Sequence, residues 1–194
     1  MRTTAETLAI EQLLRDLVES YTLEPDRLRL EVEEHPARVN IRLRVSAADM
    51  PLLIGTRGAH SRPLVLLVRE IGKNAGKFYK FDIEDPEPGE CSSFPTREPA
   101  TAYDPAPAVK LLERLLLAIG VGEFRVEARE MGRERGWLRH QLVVYTRDDD
   151  DYRLLTVRPS TTDTQTIVEA LGTLFRAAAK KAGVMGGVQV ERNT

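Results

Sequence analysis

The sequence has little of what covalent or metal-based chemistry needs. Cys91 is the single cysteine among 194 residues, so the chain cannot form an internal disulfide, and a multi-cysteine zinc site is excluded. The absence of disulfides fits a reducing, cytosolic compartment. His35, His60 and His140 are scattered and form no recognisable metal pair. We therefore expect no enzymatic activity and no cofactor.

Long apolar runs are also missing. No stretch approaches the ~20 apolar residues of a transmembrane helix, and the first residues lack the continuous apolar segment of a secretory signal. We therefore expect a cytoplasmic protein with no membrane partner. Charged residues make up 30% and hydrophobic residues 42%, which supports a folded core.

Neither sign of charge dominates the chain. The net charge of −2 argues against a uniformly basic nucleic-acid-binding surface. Locally, however, residues 1–49 carry −3, residues 50–81 +5, residues 82–104 −6 and residues 105–194 +2. Positive charge is therefore concentrated in the second of these segments, as in a local phosphate-binding site or on an ordinary solvated helix face. Its charged residues are Arg57, Arg62, Arg69, Lys73, Lys77 and Lys80, with Glu70 as the one acid.

Proline marks the main boundary along the chain. Six of the eleven prolines fall in residues 86–107. Because proline lacks an N–H and fixes φ, this stretch cannot form a regular helix or a central strand. We interpret it as an acidic linker, or as an ordered strap anchored by Phe94 and Tyr103. The predicted domains are residues 1–85 and 108–194.

The apolar pattern of the first domain predicts a mixed order of helices and strands. Helical spacing of apolar residues alternates with segments of period two, and Pro63 is tolerated in the first turn of a helix. The predicted order is helix, strand, strand, short helix, long helix and strand, at residues 8–21, 28–33, 39–45, 50–54, 62–75 and 78–83.

The second domain repeats this plan loosely. We interpret the repetition as a diverged structural duplication, and we predict that Asp148 to Asp151 form a solvated turn. The predicted elements are a helix at residues 109–119, strands at 124–128, 137–145 and 152–157, a long helix at 162–182 and a strand at 188–190.

The residues Ile54-Gly55-Thr56-Arg57-Gly58 lie between two predicted helices and suit contact with a phosphate backbone. Glycines let the chain approach another polymer closely because they have no Cβ. A helix N-terminus offers free N–H groups and partial positive charge, and Arg57 adds a charged donor fork. Taken alone, a GxxG sequence also occurs in ordinary turns between helices.

The order of elements and the stretch VSAADMPLLIGTRG, Val45 to Gly58, resemble the helix-first, bacterial type II KH domain of the small KH and Jag-like families. The resemblance covers residues 3–84, and its specific motif is IGxxG. It implies that the first domain is a type II KH domain, α-β-β-α-α-β. With the loosely repeated plan, we expect an α+β fold of two small α/β sandwich domains, the second a degenerate KH-like domain without GxxG.

The resemblance also implies a function, since a KH loop clamps the backbone of about four nucleotides of single-stranded RNA or DNA. We expect an RNA-binding protein of RNA metabolism, ribosome function or post-transcriptional regulation, in which the loop holds phosphates and Ile54 forms the floor of a groove. The candidate site comprises Ile54, Gly55, Thr56, Arg57, Gly58, His60, Arg62 and Lys73.

One departure from the family keeps an alternative open. Ser61 and Pro63 predict a helix that starts a few residues after the loop, which would move its N–H groups away from a phosphate. The alternative is a KH scaffold that serves as a protein-interaction or assembly module after loss of RNA binding. Val65 and Leu66 lie off the apolar stripe of helix 62–75, so this helix or the second domain is the expected surface for a protein partner or a homodimer.

Overall fold

A computed structural model describes residues 5–86 and 98–192. The chain divides into two compact units, Met1–Pro95 and Thr96–Thr194, each with its own three-stranded sheet. The predicted linker spans this division, and its residues 87–97, including Cys91 and Phe94, lie outside the described residues. No helix among the described residues combines the length and the apolar character that crossing a membrane requires.

The first unit is a mixed α+β fold in which helices cover one face of the sheet. The strand order is β1-β2-β3, with β1 antiparallel and β3 parallel to the central β2. A parallel return needs a crossover, and the two middle helices provide it. The elements are α1 (Ala5–Glu19), β1 (Arg29–His35), β2 (Arg38–Arg44), α2 (Met50–Ile54), α3 (Ser61–Asn74) and β3 (Phe78–Ile83).

Alternation along β2 explains why one face of this sheet carries the helices. Val39, Ile41 and Leu43 are almost fully buried, whereas the residues between them are not. On the opposite face, Arg42 forms ion pairs with Glu31 at 3.5 Å and Glu33 at 2.6 Å, so this surface largely neutralises its own charge. The hydrogen bond from Arg42 to Glu33, together with the charge of that carboxylate, raises the pKa of the guanidinium.

The second unit has the same order of elements and the same sheet. Its strand order is β4-β5-β6, with β4 antiparallel and β6 parallel to the central β5. The predicted α+β class and the repetition of the plan are therefore confirmed at the level of topology. The elements are α4 (Ala106–Ile119), β4 (Phe124–Glu134), β5 (Trp137–Thr146), α5 (Asp149–Thr156), α6 (Ile167–Lys181) and β6 (Met185–Arg192).

Three predictions for the second unit were wrong because helix caps were overlooked. The predicted acidic turn and the strand at residues 152–157 are one helix, α5. The Asp148 side chain accepts the amide of Asp150, and three further acids fall in the first turn, where the helix dipole favours them. The long helix begins at Ile167 rather than at residue 162, because Thr166 and Glu169 form a reciprocal capping box there.

The start of the second unit also differs from the predicted linker. Helix α4 begins at Ala106, inside the predicted linker 86–107, because Pro107 occupies its first turn, where a missing N–H costs no hydrogen bond. Tyr103 packs against Leu138, Ala179 and Val184 of the core of its own unit. Burial, followed by the charge of Asp104, raises the pKa of the Tyr103 hydroxyl above its ordinary value.

Candidate nucleic-acid interface

The glycine loop connects α2 to α3 in a tight turn with unusual backbone angles. Helix α2 ends at Ile54, a single 3-10 turn follows at Thr56–Gly58, and α3 begins at Ser61. Positive φ values occur at Gly55 (70°), Arg57 (57°) and Gly58 (80°). Glycine adopts such angles freely, whereas an arginine in the left-handed region costs roughly 1–2 kcal/mol. The loop thus holds Arg57 in an energetically unfavourable conformation.

His60 braces this loop from the inside. Its ring nitrogen Nδ1 lies 2.6 Å from the carbonyl oxygen of Leu52, and its backbone N–H donates to the carbonyl of Ile54 at 3.0 Å. A Cβ on Gly55 would lie 2.9 Å from the backbone nitrogen of His60, so a side chain cannot be added there without movement. Because a carbonyl only accepts, Nδ1 carries the proton in this contact. The structure places this half-buried ring in loop support.

Tyr21 lies behind the bracing histidine. The two ring centroids are 6.3 Å apart, and the tyrosine is 2% exposed. Burial raises the pKa of its phenol well above the ordinary value. Its hydroxyl has no hydrogen-bond partner within residues 5–86 and 98–192. The base of the loop therefore contains a buried phenol packed beside the imidazole of His60.

The backbone amides of the loop are largely used within it. The amide of Gly58 donates to Gly55, that of Ala59 to Thr56, and that of His60 to Ile54. A ligand phosphate therefore does not find these three donors free. The side chains of Thr56 and Arg57, both exposed, are the outward-facing polar groups of the turn.

Two arginines supply the available positive charge of the loop. Arg57 and Arg62 are exposed, and neither has an ion pair or hydrogen bond in the part of the chain that the structure describes. A Cβ on Gly58 would lie 3.3 Å from Nε of Arg62, so this guanidinium lies beside the second glycine. Helix α3 begins only three residues after Gly58, so the predicted delay of this helix is small.

The other cations of the predicted basic cluster form ion pairs away from the loop. Lys73 lies in the last turn of α3, roughly 18 Å along the helix from Ser61. The structure therefore does not bring Lys73 to the loop. The pairs are Arg69 with Glu70 at 3.1 Å, Lys73 with Glu70 at 2.9 Å, Lys77 with Glu34 at 2.6 Å, and Lys80 with Asp82.

Two aliphatic side chains near the loop remain open to solvent. Ile54 at the end of α2 is 40% exposed, and Val65 in the second turn of α3 is 44% exposed. Of the two residues predicted to lie off the core stripe, Leu66 is 6% exposed and belongs to the core, so only Val65 is available to a partner. Ile54 and Val65 provide apolar surface against which flat groups can pack.

A buried carboxylate, that of Asp49, positions α2. Asp49 is fully buried, and its two oxygens accept the backbone N–H groups of Leu23 at 2.5 Å and Glu24 at 2.9 Å. The hydroxyl of Ser46 donates to the same carboxylate at 3.2 Å. Asp49 makes no side-chain capping bond to α2. It fastens the start of α2 to the α1–β1 connection, and the loop's position follows from that attachment.

No group of three or more histidine, cysteine or acidic side chains that could hold a metal ion occurs among the described residues. No protein-family model matches the chain, and no curated protein is significantly similar to it in sequence. What the loop can do therefore follows from its own geometry. It offers two free guanidinium groups, one exposed hydroxyl and two aliphatic side chains.

Proposed function

We propose that the first unit binds single-stranded RNA through the loop at residues 55–58, in the cytoplasm, as part of RNA metabolism. The observation that carries this proposal is the placement of Arg57 and Arg62. Both are exposed and without an ion-pair partner among the described residues, on either side of a glycine that lets a polymer approach. A guanidinium suits a phosphate oxygen because its N–H groups form a planar fork.

The topology of the first unit supports the same proposal. Its order, α-β-β-α-α-β, is the order that the resemblance to type II KH domains implies. In such domains the GxxG loop clamps the nucleic-acid backbone. The resemblance and the free arginines are independent reasons for the proposal, since the first concerns the backbone and the second concerns side-chain pairing.

The proposed mechanism is binding without covalent chemistry. Arg57 and Arg62 contact consecutive phosphates, and the exposed faces of Ile54 and Val65 receive bases. His60 keeps the turn in shape from below. With two free cations rather than six, electrostatics contributes modestly, so binding is expected to be weak and to fall as salt rises.

The test is a titration of fluorescently labelled single-stranded RNA at two salt concentrations. The full chain is compared with a double variant, Arg57→Asp with Arg62→Asp. Aspartate tolerates the left-handed region at the first position and suits the first turn of a helix at the second, so the variant is expected to fold. Because each lost phosphate contact on a single strand lowers the salt dependence by about 0.7, we expect the log–log slope to fall by roughly 1.4.

A matched control changes the same charge elsewhere. Arg135→Asp with Arg153→Asp alters two exposed arginines of the second unit by the same total charge. The control is expected to bind like the native chain, apart from a small uniform electrostatic loss. Equal, salt-insensitive weak binding by the native chain and the loop variant would refute the RNA proposal and favour a protein-interaction module.

A further inference from the structure

The second unit contains an open groove. It has a volume of about 460 Å³ and lies between α6 and β6. Within residues 5–86 and 98–192, strand β6 pairs with β5 on one side and with no strand on its other edge. An edge strand presents unpaired N–H and C=O groups that can pair with another extended chain. The groove is bordered by Val168, Gly172, Thr173 and Arg176 of α6 and by Val188 of β6.

A glycine opens this groove. Gly172 lies thirteen residues before the first residue of β6, and Val65 lies equally far before the first residue of β3. A Cβ on Gly172 would lie 3.7 Å from the carbonyl oxygen of Val188 and 3.8 Å from its nitrogen, so a larger side chain there would cover this backbone. The first unit has Val65 at that position, whereas the second unit has Gly172 and therefore no side chain there.

The same register shows how the charges on α6 differ from those on α3. In the first unit, Glu70 pairs with Arg69 and Lys73. The corresponding stretch of α6 retains both cations but has Ala177 in place of the carboxylate. Arg176 donates a hydrogen bond to the Thr173 hydroxyl at 3.2 Å, and neither Arg176 nor Lys180 has an ion pair in residues 98–192.

The one acid at the groove is already engaged. The carboxylate of Glu169 accepts the backbone N–H of Thr166 at 2.7 Å as part of the helix cap. It lies about two turns of α6 before Arg176 and about three turns before Lys180. Because the Glu169 carboxylate is separated from Arg176 by roughly 10 Å along the helix axis, the end of the groove at Arg176, with Lys180 one turn beyond it on α6, favours a negatively charged ligand.

We propose that this groove binds an extended acidic peptide segment as a fourth strand on the free edge of β6. Arg176 and Lys180 are one helical turn apart, about 6 Å along the axis. Alternate side chains of a strand are about 6.6–6.8 Å apart, so carboxylates at positions i and i+2 of the peptide match the two cations. The backbone of β6 supplies the hydrogen bonds, and the cations supply the preference for acidic side chains.

The test uses nuclear magnetic resonance of the full, isotope-labelled chain. The probe is an end-capped octapeptide in which glutamate alternates with valine, and the control peptide has lysine in place of glutamate. The acidic peptide is expected to shift the backbone resonances of Gly172, Val188 and their neighbours in β6, with a dissociation constant below about 1 mM. The lysine peptide is expected to shift none of them, because it meets like charge.

Two variants place the residue types of the first unit at the corresponding positions of α6. Gly172→Val fills the space, and Ala177→Glu neutralises the cations. Each is expected to weaken binding at least tenfold. Leu117→Glu is the matched control, since it adds the same charge to an exposed position on α4 and should bind as the native chain does. If Gly172→Val does not fold, the surface substitution Ala177→Glu still tests the proposal.

Three results would overturn the proposal. One is the absence of shifts in β6 with up to about 1 mM acidic peptide. Another is equal binding of the lysine peptide or of the Ala177→Glu variant. The third is a single-stranded RNA that shifts the Gly172 and Val188 resonances at lower concentration than the peptide, which would identify the groove as a nucleic-acid site. None of these outcomes depends on whether the loop of the first unit binds RNA.

Discussion

The two units build the same scaffold from nearly unrelated residues and differ where the scaffold meets solvent. Both end their long helix in the same way, with a glycine at positive φ, 66° at Gly76 and 74° at Gly183. The amide that follows donates back into the helix in each case, from Lys77 to Gly72 and from Val184 to Ala179. This shared turn sets the direction in which each parallel strand returns to its sheet.

An aspartate tether is also common to the two units. Asp49 accepts the amides of Leu23 and Glu24, and Asp151 accepts those of Gly122 and Glu123 at 3.0–3.1 Å. In both units the carboxylate joins the start of the short helix to the connection before the first strand. The tether is buried in the first unit and exposed in the second, so the same geometry carries different energies.

The connection between the two middle helices separates the units most clearly. In the first unit it is short, contains two glycines and exposes Arg57. In the second unit, residues 157–166 contain no glycine and end in a capping box. Buried contacts therefore maintain the scaffold in both halves, whereas the exposed connections and helix faces can differ and specialise.

The largest expected effect comes from breaking the buried tether. Asp49→Ala leaves two backbone N–H groups without their charged acceptor in a buried site, so we expect a loss of about 3–4 kcal/mol in the unfolding free energy of the first unit. Asp151→Ala, in the exposed tether, is expected to cost about 1 kcal/mol. Urea denaturation followed by circular dichroism measures both.

The sole tryptophan provides the control for these tether variants. Trp137 lies in the second unit, so its fluorescence transition should not move in Asp49→Ala. Similar losses for the two aspartate variants would contradict the assignment of different energies to the buried and exposed tethers.

A smaller change in the unfolding free energy, this time a gain, is expected at a core position where the units differ. His140 and Val39 occupy the same register, since each pairs with the second residue of the parallel strand. Neither ring nitrogen of His140 has a hydrogen-bond partner among the described residues, and the ring lies 5.0 Å from that of Tyr103. His140→Leu removes the unpaired polar atoms while keeping similar volume. We expect a gain of about 1–2 kcal/mol, measured as a higher urea midpoint in Trp137 fluorescence.

A lower midpoint for His140→Leu would show that the imidazole makes a stabilising contact in solution. His35→Leu serves as the comparison, because it changes the same residue type at the partly exposed end of β1. It is expected to leave the Trp137 transition where it is.

The smallest expected change in stability is at Arg57 in the loop, where stability and RNA binding are expected to change in opposite directions. Arg57→Gly relieves the left-handed arginine, a gain of roughly 1–2 kcal/mol, and adds the chain entropy of a glycine, a cost of roughly 0.5–1 kcal/mol. We expect the first unit to become about 0.5–1 kcal/mol more stable in urea while the RNA titration weakens. A variant that is more stable and binds RNA as well as the native chain would remove Arg57 from the proposed interface.

Sequence periodicity predicted most of the first unit because its signals are local. Alternation in β2 and the helical stripe of α3 follow directly from which residues are buried. The second unit was harder to predict, since four consecutive acids resemble a solvated turn until the cap at Asp148 is recognised. The start of α6 was missed for the same reason, because the capping pair Thr166 and Glu169 lies later than the first polar residues.

The candidate site was predicted in outline and changed in detail. Sequence position indicated the loop, but it does not show which cations are already paired. Arg69 and Lys73 share Glu70, a partner that the charge count registered as a single acid. The roles of His60 and Asp49 were also missed, because both depend on contacts to backbone groups that only the folded chain brings together.

The late position of each parallel strand has a consequence for synthesis on the ribosome. About 40 residues separate Arg38 from its partner Phe78, and a similar interval separates Arg139 from Met185. Neither sheet can close until its final strand has emerged, but the first can close before the second unit is translated. Synthesis from the N-terminus therefore limits the exchange of equivalent strands between the two units, which have the same topology. During refolding from denaturant both units are present at once, so this exchange becomes possible again.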